Sequence, residues 1–177
     1  QNSPFWEKRS VYYQKLELIL VDNASELEKN GLELEEYGNL WELFPNRNVG
    51  GSGGFQRGME ELRRKQEKAG FTHCILMDDD ALLQAESLIR LYGFLKLCRE
   101  EYRKSPVAGR MFQIDQSYLQ LTAGEVWNGG YLLHVDGMLD MRRRENALKE
   151  SNEDGEYGGW WFCCYPVSWV QKEDPMP

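Results

Sequence analysis

Two short stretches carry residue types that could do chemistry. Residues 46–54 read NRNVGGSGG, with four glycines in five positions, and residues 72–80 read THCILMDDD, with three aspartates closing an apolar run. Glycine lets backbone amides approach a ligand closely and adopts positive φ without a Cβ clash. A helix-patterned segment follows the glycines at once. Its unpaired first amides and positive dipole end suit an anionic group such as the phosphates of a nucleotide. Carboxylates at i and i+2 after a strand, Asp78 and Asp80, can both reach one hard divalent cation, which takes oxygen ligands and is often completed by substrate phosphates. Such a cation offsets the charge that builds on a diphosphate leaving group. Asp79 then turns away or supports. The plain alternatives are a tight turn that packs strand on helix and, for the aspartates, a helix N-cap at Asp80 within a solvated charge run.

The familiar phosphate motifs do not match. GxxxxGK[ST] fails because Phe55-Gln56 stand where Lys-Ser/Thr would be, and GxGxxG fails because Gln56 takes the last position. The EF-hand pattern is absent. His73 and His134 are too few and too scattered for zinc, and His73, inside a strand, reads as a satisfied core or rim histidine. Ser52 sits between glycines, but its flanks and partners do not suit a nucleophile elbow.

These residues need elements to position them. LELILVDNAS (Leu16–Ser25) reads as a buried strand with Asp22 and Asn23 at its carboxyl end. NLWELFPNRNVGGSGG is a strand or extended segment entering the glycine loop. From Phe55 the period changes: Phe55, Met59 and Leu62 make one helix face, with EELRRKQEK filling the others and Gly70 closing the helix. Phe71–Met77 is the next buried strand. Glu86–Lys104 carries Leu88, Leu91, Leu95 and Cys98 on one face of a second helix, broken by Ser105-Pro106. VAGRMFQ reads as a further strand, followed by short strands around Tyr118–Leu121 and Gly130–Val135. MRRRENALKESNEDGE reads as a solvated helix or loop, and WWFCCYPVSWV as an aromatic strand. Strand alternating with helix predicts an α/β layered sheet with parallel pairing and right-handed crossovers. Ligands bind outside the carboxyl ends of such strands, so Asp22, the glycine loop and Asp78–Asp80 are expected to converge on one rim.

The chain of 177 residues is long enough for one domain with a core. Its net charge of −8 argues against affinity for nucleic-acid backbone, though not against a small phosphorylated ligand held through a metal. No apolar run approaches the length of a membrane span. Cys74, Cys98, Cys163 and Cys164 show no CxxC spacing and read as reduced, mostly buried thiols of a cytosolic protein. The ends at Gln1 and Pro177 suggest a piece of a longer protein.

ILVDNAS, NVGGSGGFQRGM, THCILMDDDALLQAESL, GEVWNGG and YGGWWFCCYP, taken together, resemble the inverting family 2 glycosyltransferases of the GT-A fold. The branch most similar is that of the galactofuranosyltransferases, which build cell-wall or surface polysaccharide from UDP-galactofuranose. The resemblance runs from about Leu16 to Pro177. It implies a GT-A-like, nucleotide-diphospho-sugar transferase sheet flanked by helices, with residues 1–177 forming one catalytic-domain fragment. That fragment lacks the family's first strand and its C-terminal catalytic-base segment. The resemblance further implies a UDP-sugar donor, a glycan acceptor and a Mn²⁺ or Mg²⁺ cofactor, in a protein of the cytoplasm or the inner face of the membrane, with peripheral membrane association resting on parts outside this chain. By resemblance Asp22 lies near the nucleotide base, Asn48 and Gly50, Gly51, Gly53 and Gly54 pack along the UDP-sugar with Asp78 and Asp79, and Asp78 and Asp80 form the metal-binding DxD. Glu125, Trp127, Trp160 and Trp161 fall on the acceptor side. Aromatic faces also suit the apolar faces of sugars on purely physical grounds, and strand alternation would turn one ring of the Trp pair into the core. The family's base is an aspartate beyond Pro177. Asp154, Glu156 and Asp174 do not match its motif, so no base is assigned and the fragment alone is not expected to turn over. Two other functions compete: a nucleotide-sugar-binding module without turnover, and a sugar nucleotidyltransferase, for which Arg57 would be the basic residue.

Overall fold

The computed structural model describes residues 16–24, 41–149 and 155–170. These fall into two compact units, one from the residues up to Phe71 together with Val170, the other from Thr72 to Trp169.

In the first unit β1 (Leu18–Asp22) and β2 (Trp41–Pro45) pair in parallel, with Leu18 opposite Trp41 and Asp22 opposite Pro45. Both strands therefore end at one edge, as their sequence pattern predicts. Ser25 lies outside the described residues. Helix α1 (Gly50–Ala69) packs over β1. Of the predicted stripe it buries Met59 and Leu62 and leaves Phe55 half-buried, and it ends at Gly70, whose φ of 63° is the left-handed conformation that favours glycine. Two details differ from expectation. The helix begins at Gly50, so the glycines form its first turn and not a loop before it. Glu61, expected on a solvated face, is buried; Arg57 and Arg64 hold its carboxylate at 2.7 and 2.5 Å, which is what a buried charge requires. Lys65 pairs with Glu17, just before β1, and with Glu42 of β2, and so ties the helix to both.

In the second unit β3 (His73–Leu76), β4 (Val107–Ala108) and β10 (Cys163–Pro166) form a sheet in the order β3-β10-β4. β10 is antiparallel to both neighbours. β3 and β4 thus run the same way, as the strand–helix–strand pattern predicts, but they do not pair: a strand from late in the chain stands between them. Among the described residues the strands form four small sheets of two or three strands each, where a single layered sheet with parallel pairing was expected.

The long helix expected over 86–104 is two helices, α2 (Ala85–Leu97) and α3 (Glu100–Arg103), separated by Cys98 and Arg99 in extended conformation. The break lets the Arg103 guanidinium donate to the Lys96 carbonyl at 3.1 Å, satisfying an acceptor left open at the end of α2. Leu91, Phe162 and Cys164 centre the core, with Ile75, Leu88 and Trp161 packed on them. VAGRMFQ also splits. After β4 the chain passes Gly109, where a Cβ would lie 2.8 Å from the Phe162 ring, and enters another sheet as β5 (Met111–Phe112). β5 pairs with β6 (Leu119–Thr122), which pairs with β9 (Leu139–Asp140). β7 (Glu125–Trp127) and β8 (Leu132–His134) form a hairpin. The charged segment contributes one helical turn, α4 (Arg144–Ala147), and its residues 150–154 lie outside the description. β10 runs into a final turn, α5 (Val167–Val170). All four cysteines are free thiols. Among the described residues no helix is long and apolar enough to cross a membrane.

Candidate functional site

In the first unit the polar residues at the strand ends are tied to one another. The Asp22 carbonyl accepts from the Asn46 amide at 2.8 Å, and its buried carboxylate accepts from the Ala24 amide at 3.0 Å. The Asn46 carboxamide donates to Asn23 Oδ1 at 2.8 Å, and Asn23 Nδ2 donates to the Gly50 carbonyl at 3.3 Å. Asn48 Oδ1 accepts from the Gly50 amide at 3.2 Å. Gly50, at φ 85°, is therefore held through both of its peptide groups.

The glycines of the first turn do different jobs. A Cβ on Gly54 would lie 2.6 Å from Asn23 Nδ2, and one on Gly53 would lie 2.1 Å from Val49 Cγ2. These two positions are glycine because the protein's own side chains occupy the space. Gly51 has open space where a Cβ would stand, so a ligand can approach its backbone. Arg57 is engaged by Glu61 and lies over the Phe44 ring, 5.9 Å from its centroid.

In the second unit the aspartates leave β3 as predicted. The Asp78 amide donates to the Trp160 carbonyl at 2.9 Å, and the Asp78 carbonyl accepts from the Ala81 amide at 3.4 Å. Asp80 does not cap a helix: α2 starts at Ala85, with Gln84 at its N-cap. Asp78 is half-buried, while Asp79 and Asp80 are exposed. Desolvation first, then the charges of Asp80 and Asp79, raise the Asp78 carboxyl above its ordinary pKa. A cation would relieve that crowding. Among the described residues no three His, Cys, Asp or Glu side chains form a ready-made metal cage. A pair of carboxylates fits a hard cation that takes its remaining oxygens from substrate and water.

Trp160 and Trp161 lie in a turn before β10 and not in a strand, so side-chain alternation does not govern them. Their rings diverge nonetheless. Trp161 packs on the core, donates Nε1–H to the Gly109 carbonyl at 2.9 Å, and covers the position where Gly159 lacks a Cβ. Trp160 is half-buried and donates its Nε1–H to Tyr165 Oη at 3.2 Å. On the hairpin, Glu125 Oε1 lies 3.3 Å from His134 Nδ1 on the opposite strand. Trp127 exposes half its surface, and its amide donates to Glu156 Oε2 at 2.9 Å. Glu125 is bridged to Tyr157, three residues before Trp160 in the chain.

The structure thus joins Asp78 to Trp160, Glu125 to Trp127 along one strand, and Asp22 to the Asn48–Gly50 turn through Asn46 and Asn23. Sequence reasoning gave no role to Asn23, Asn46, His134 or Tyr165. For Tyr165 the one available signal was a polar-tipped aromatic in the strand after the Trp pair.

No family model and no solved structure matches the chain. It is 27% identical over 158 residues to the galactofuranosyltransferase GlfT2 of Mycobacterium tuberculosis, an alignment covering 79% of the chain and 23% of that protein. It is 26% identical over 156 residues to the galactofuranosyltransferase GlfT2 of Mycolicibacterium smegmatis, with the same coverages. The chain spans under a quarter of the length of these curated relatives.

Proposed function

We propose, from this similarity to two galactofuranosyltransferases, that the chain is the donor-binding and acceptor-facing part of an inverting glycosyltransferase of GT-A type. It would act on a UDP-sugar, with galactofuranose as the sugar moved, and on a glycan acceptor. The observation that carries the reading is the bond between the Asp78 amide and the Trp160 carbonyl. It joins a carboxylate suited to a cation–diphosphate to a half-buried ring suited to a sugar face.

In this reading Asp22, Asn48, Gly50 and Gly51 border the donor, with Gly53 and Gly54 keeping the turn tight. Asp78 and Asp80 would hold Mn²⁺ or Mg²⁺, with Asp79 beside them, and the ion would supply neutralisation of charge on the departing diphosphate. Glu125, Trp127 and Trp160 face the acceptor, and Trp161 packs on the core behind Gly159. An acceptor oxygen forms the new bond to the anomeric carbon as the bond to UDP breaks on the opposite side. The hydroxyl proton passes to a base, which is not assigned within this chain.

The test is transfer by the full-length protein from UDP-galactofuranose to a galactofuranose-terminated oligosaccharide, with the anomeric configuration of the product read by NMR. A product of inverted configuration supports the proposal. Donor hydrolysis alone, or UDP binding without transfer, would favour a binding module.

A further inference from the structure

Trp160 presents its indole from a turn, and a sugar can stack on an indole only if the ring plane is held. An indole has a single polar atom, a donor, which usually finds an acceptor when it is part-buried. Here the acceptor is Tyr165 Oη, at 3.2 Å. Tyr165 is anchored well for this task. It lies on β10, the central strand of its sheet, with Cys74 of β3 opposite it. Its hydroxyl also hydrogen-bonds the Cys163 thiol, and its ring meets Trp169 with centroids 6.4 Å apart at 45°. The Trp160 backbone is fixed from the other side by its bond to the Asp78 amide.

We infer that Tyr165 is a positioning residue which fixes the Trp160 ring, beside the aspartate end of β3, as a platform for a sugar of the acceptor glycan. The inference rests on the transferase reading only for the word acceptor; the platform itself requires a glycan and no turnover. Burial holds the phenol protonated, with its pKa pushed up to about 12, so the hydroxyl remains neutral throughout the working pH range.

Tyr165→Phe removes the one oxygen and keeps the ring. The full-length protein is labelled with 5-fluorotryptophan, and the Trp160 signal is assigned by its loss in Trp160→Phe. The Trp160 fluorine resonance should move in Tyr165→Phe without ligand. Titration with a galactofuranosyl disaccharide should perturb that resonance in the parent protein, with affinity about two- to tenfold weaker in Tyr165→Phe, the worth of one neutral hydrogen bond. In transfer assays the acceptor KM should rise by a similar factor while the donor KM stays put. An unmoved Trp160 signal in Tyr165→Phe overturns the inference, as does a disaccharide that leaves Trp160 unperturbed in the parent or binds both proteins equally. A parent protein that binds the disaccharide at Trp160, loses affinity in Tyr165→Phe and transfers nothing would sink the transferase reading and keep Tyr165 in its role.

Discussion

The peptide amide of Asp78 donates to the carbonyl of Trp160 across 2.9 Å, so the first aspartate of the triplet and the first tryptophan of the pair share one hydrogen bond. Residues far apart in sequence thereby become neighbours at the end of β3.

Asp78 is held at some expense to the fold. Its carboxyl pKa is raised, first by desolvation and then by Asp80 and Asp79. The folded state therefore keeps a proton that the unfolded state has released, and stability falls as pH rises through the ordinary carboxylate range. Asp78→Asn should raise the melting temperature slightly at neutral pH while abolishing transfer. UDP with Mn²⁺ should raise the melting temperature of the parent protein and leave that of the variant unchanged. Equal UDP affinity with and without Mn²⁺ in the parent would remove the cation from the site.

The glycines of the first turn of α1 should separate into two groups. Gly54→Ala forces a methyl group against the Asn23 carboxamide and should cost about 1–3 kcal/mol. Gly51→Ala meets nothing and should change stability by no more than about 1 kcal/mol, yet weaken UDP binding. Thermal melts paired with UDP titration check both. Gly53→Val is a poor probe of the ligand, because its side chain would collide with Val49 before any donor arrived.

The two tryptophans should part in the same way. Trp161→Ala opens the core and should cost about 3–5 kcal/mol. Trp160→Ala should unfold at nearly the parent temperature and lose transfer to the acceptor while UDP binding persists. If both variants unfold alike with no separate defect in transfer, the pair is core and the acceptor lies elsewhere.

The thiols supply a pH test. Burial pushes Cys74 up to about 11 and Cys164 up to about 12 from an ordinary value of 9.0. The folded protein retains these protons where the unfolded chain loses them, so stability should decline from pH 9 upward. Alkylation of the native protein with iodoacetamide at pH 8 should spare Cys74 and Cys164, and unfolding should expose them. Mass spectrometry of the labelled peptides reads the outcome.

Features written in local periodicity were legible. β1 lies within the stretch Leu16–Ser25 that reads as a strand and β2 within one that reads as a strand or extended segment, Met59 and Leu62 belong to the stripe read with Phe55 on one helix face, and Gly70 reads as a helix stop, because each follows from neighbours a few residues away. The start of α1 was hidden by the weak helix propensity of glycine; the ties of Gly50 to Asn23 and Asn48 settle it, and one of them comes from the turn after β1. The place of β10 between β3 and β4 has no local signature at all, since strand pairing is chosen by partners distant in the chain. The same holds for the candidate site. The aspartates announced themselves by type and spacing, whereas Tyr165 matters only through an indole nitrogen that a turn brings within reach.

The position of β10 also has a consequence for how the chain comes to be folded. During synthesis β3 and β4 emerge well before Cys163–Pro166, the strand each must pair with. Arg63 of the first unit likewise waits for the Val170 carbonyl, which its Nε–H reaches at 2.6 Å. Contacts that close so long a stretch must meet their entropic cost before they are rewarded, which slows folding. Until then the nascent chain carries strand edges open to wrong partners. Asp78 therefore meets Trp160 only when the last described stretch has docked, and the emergence of Trp160 and β10, not the appearance of the aspartates, sets the moment at which that end of β3 takes its final form.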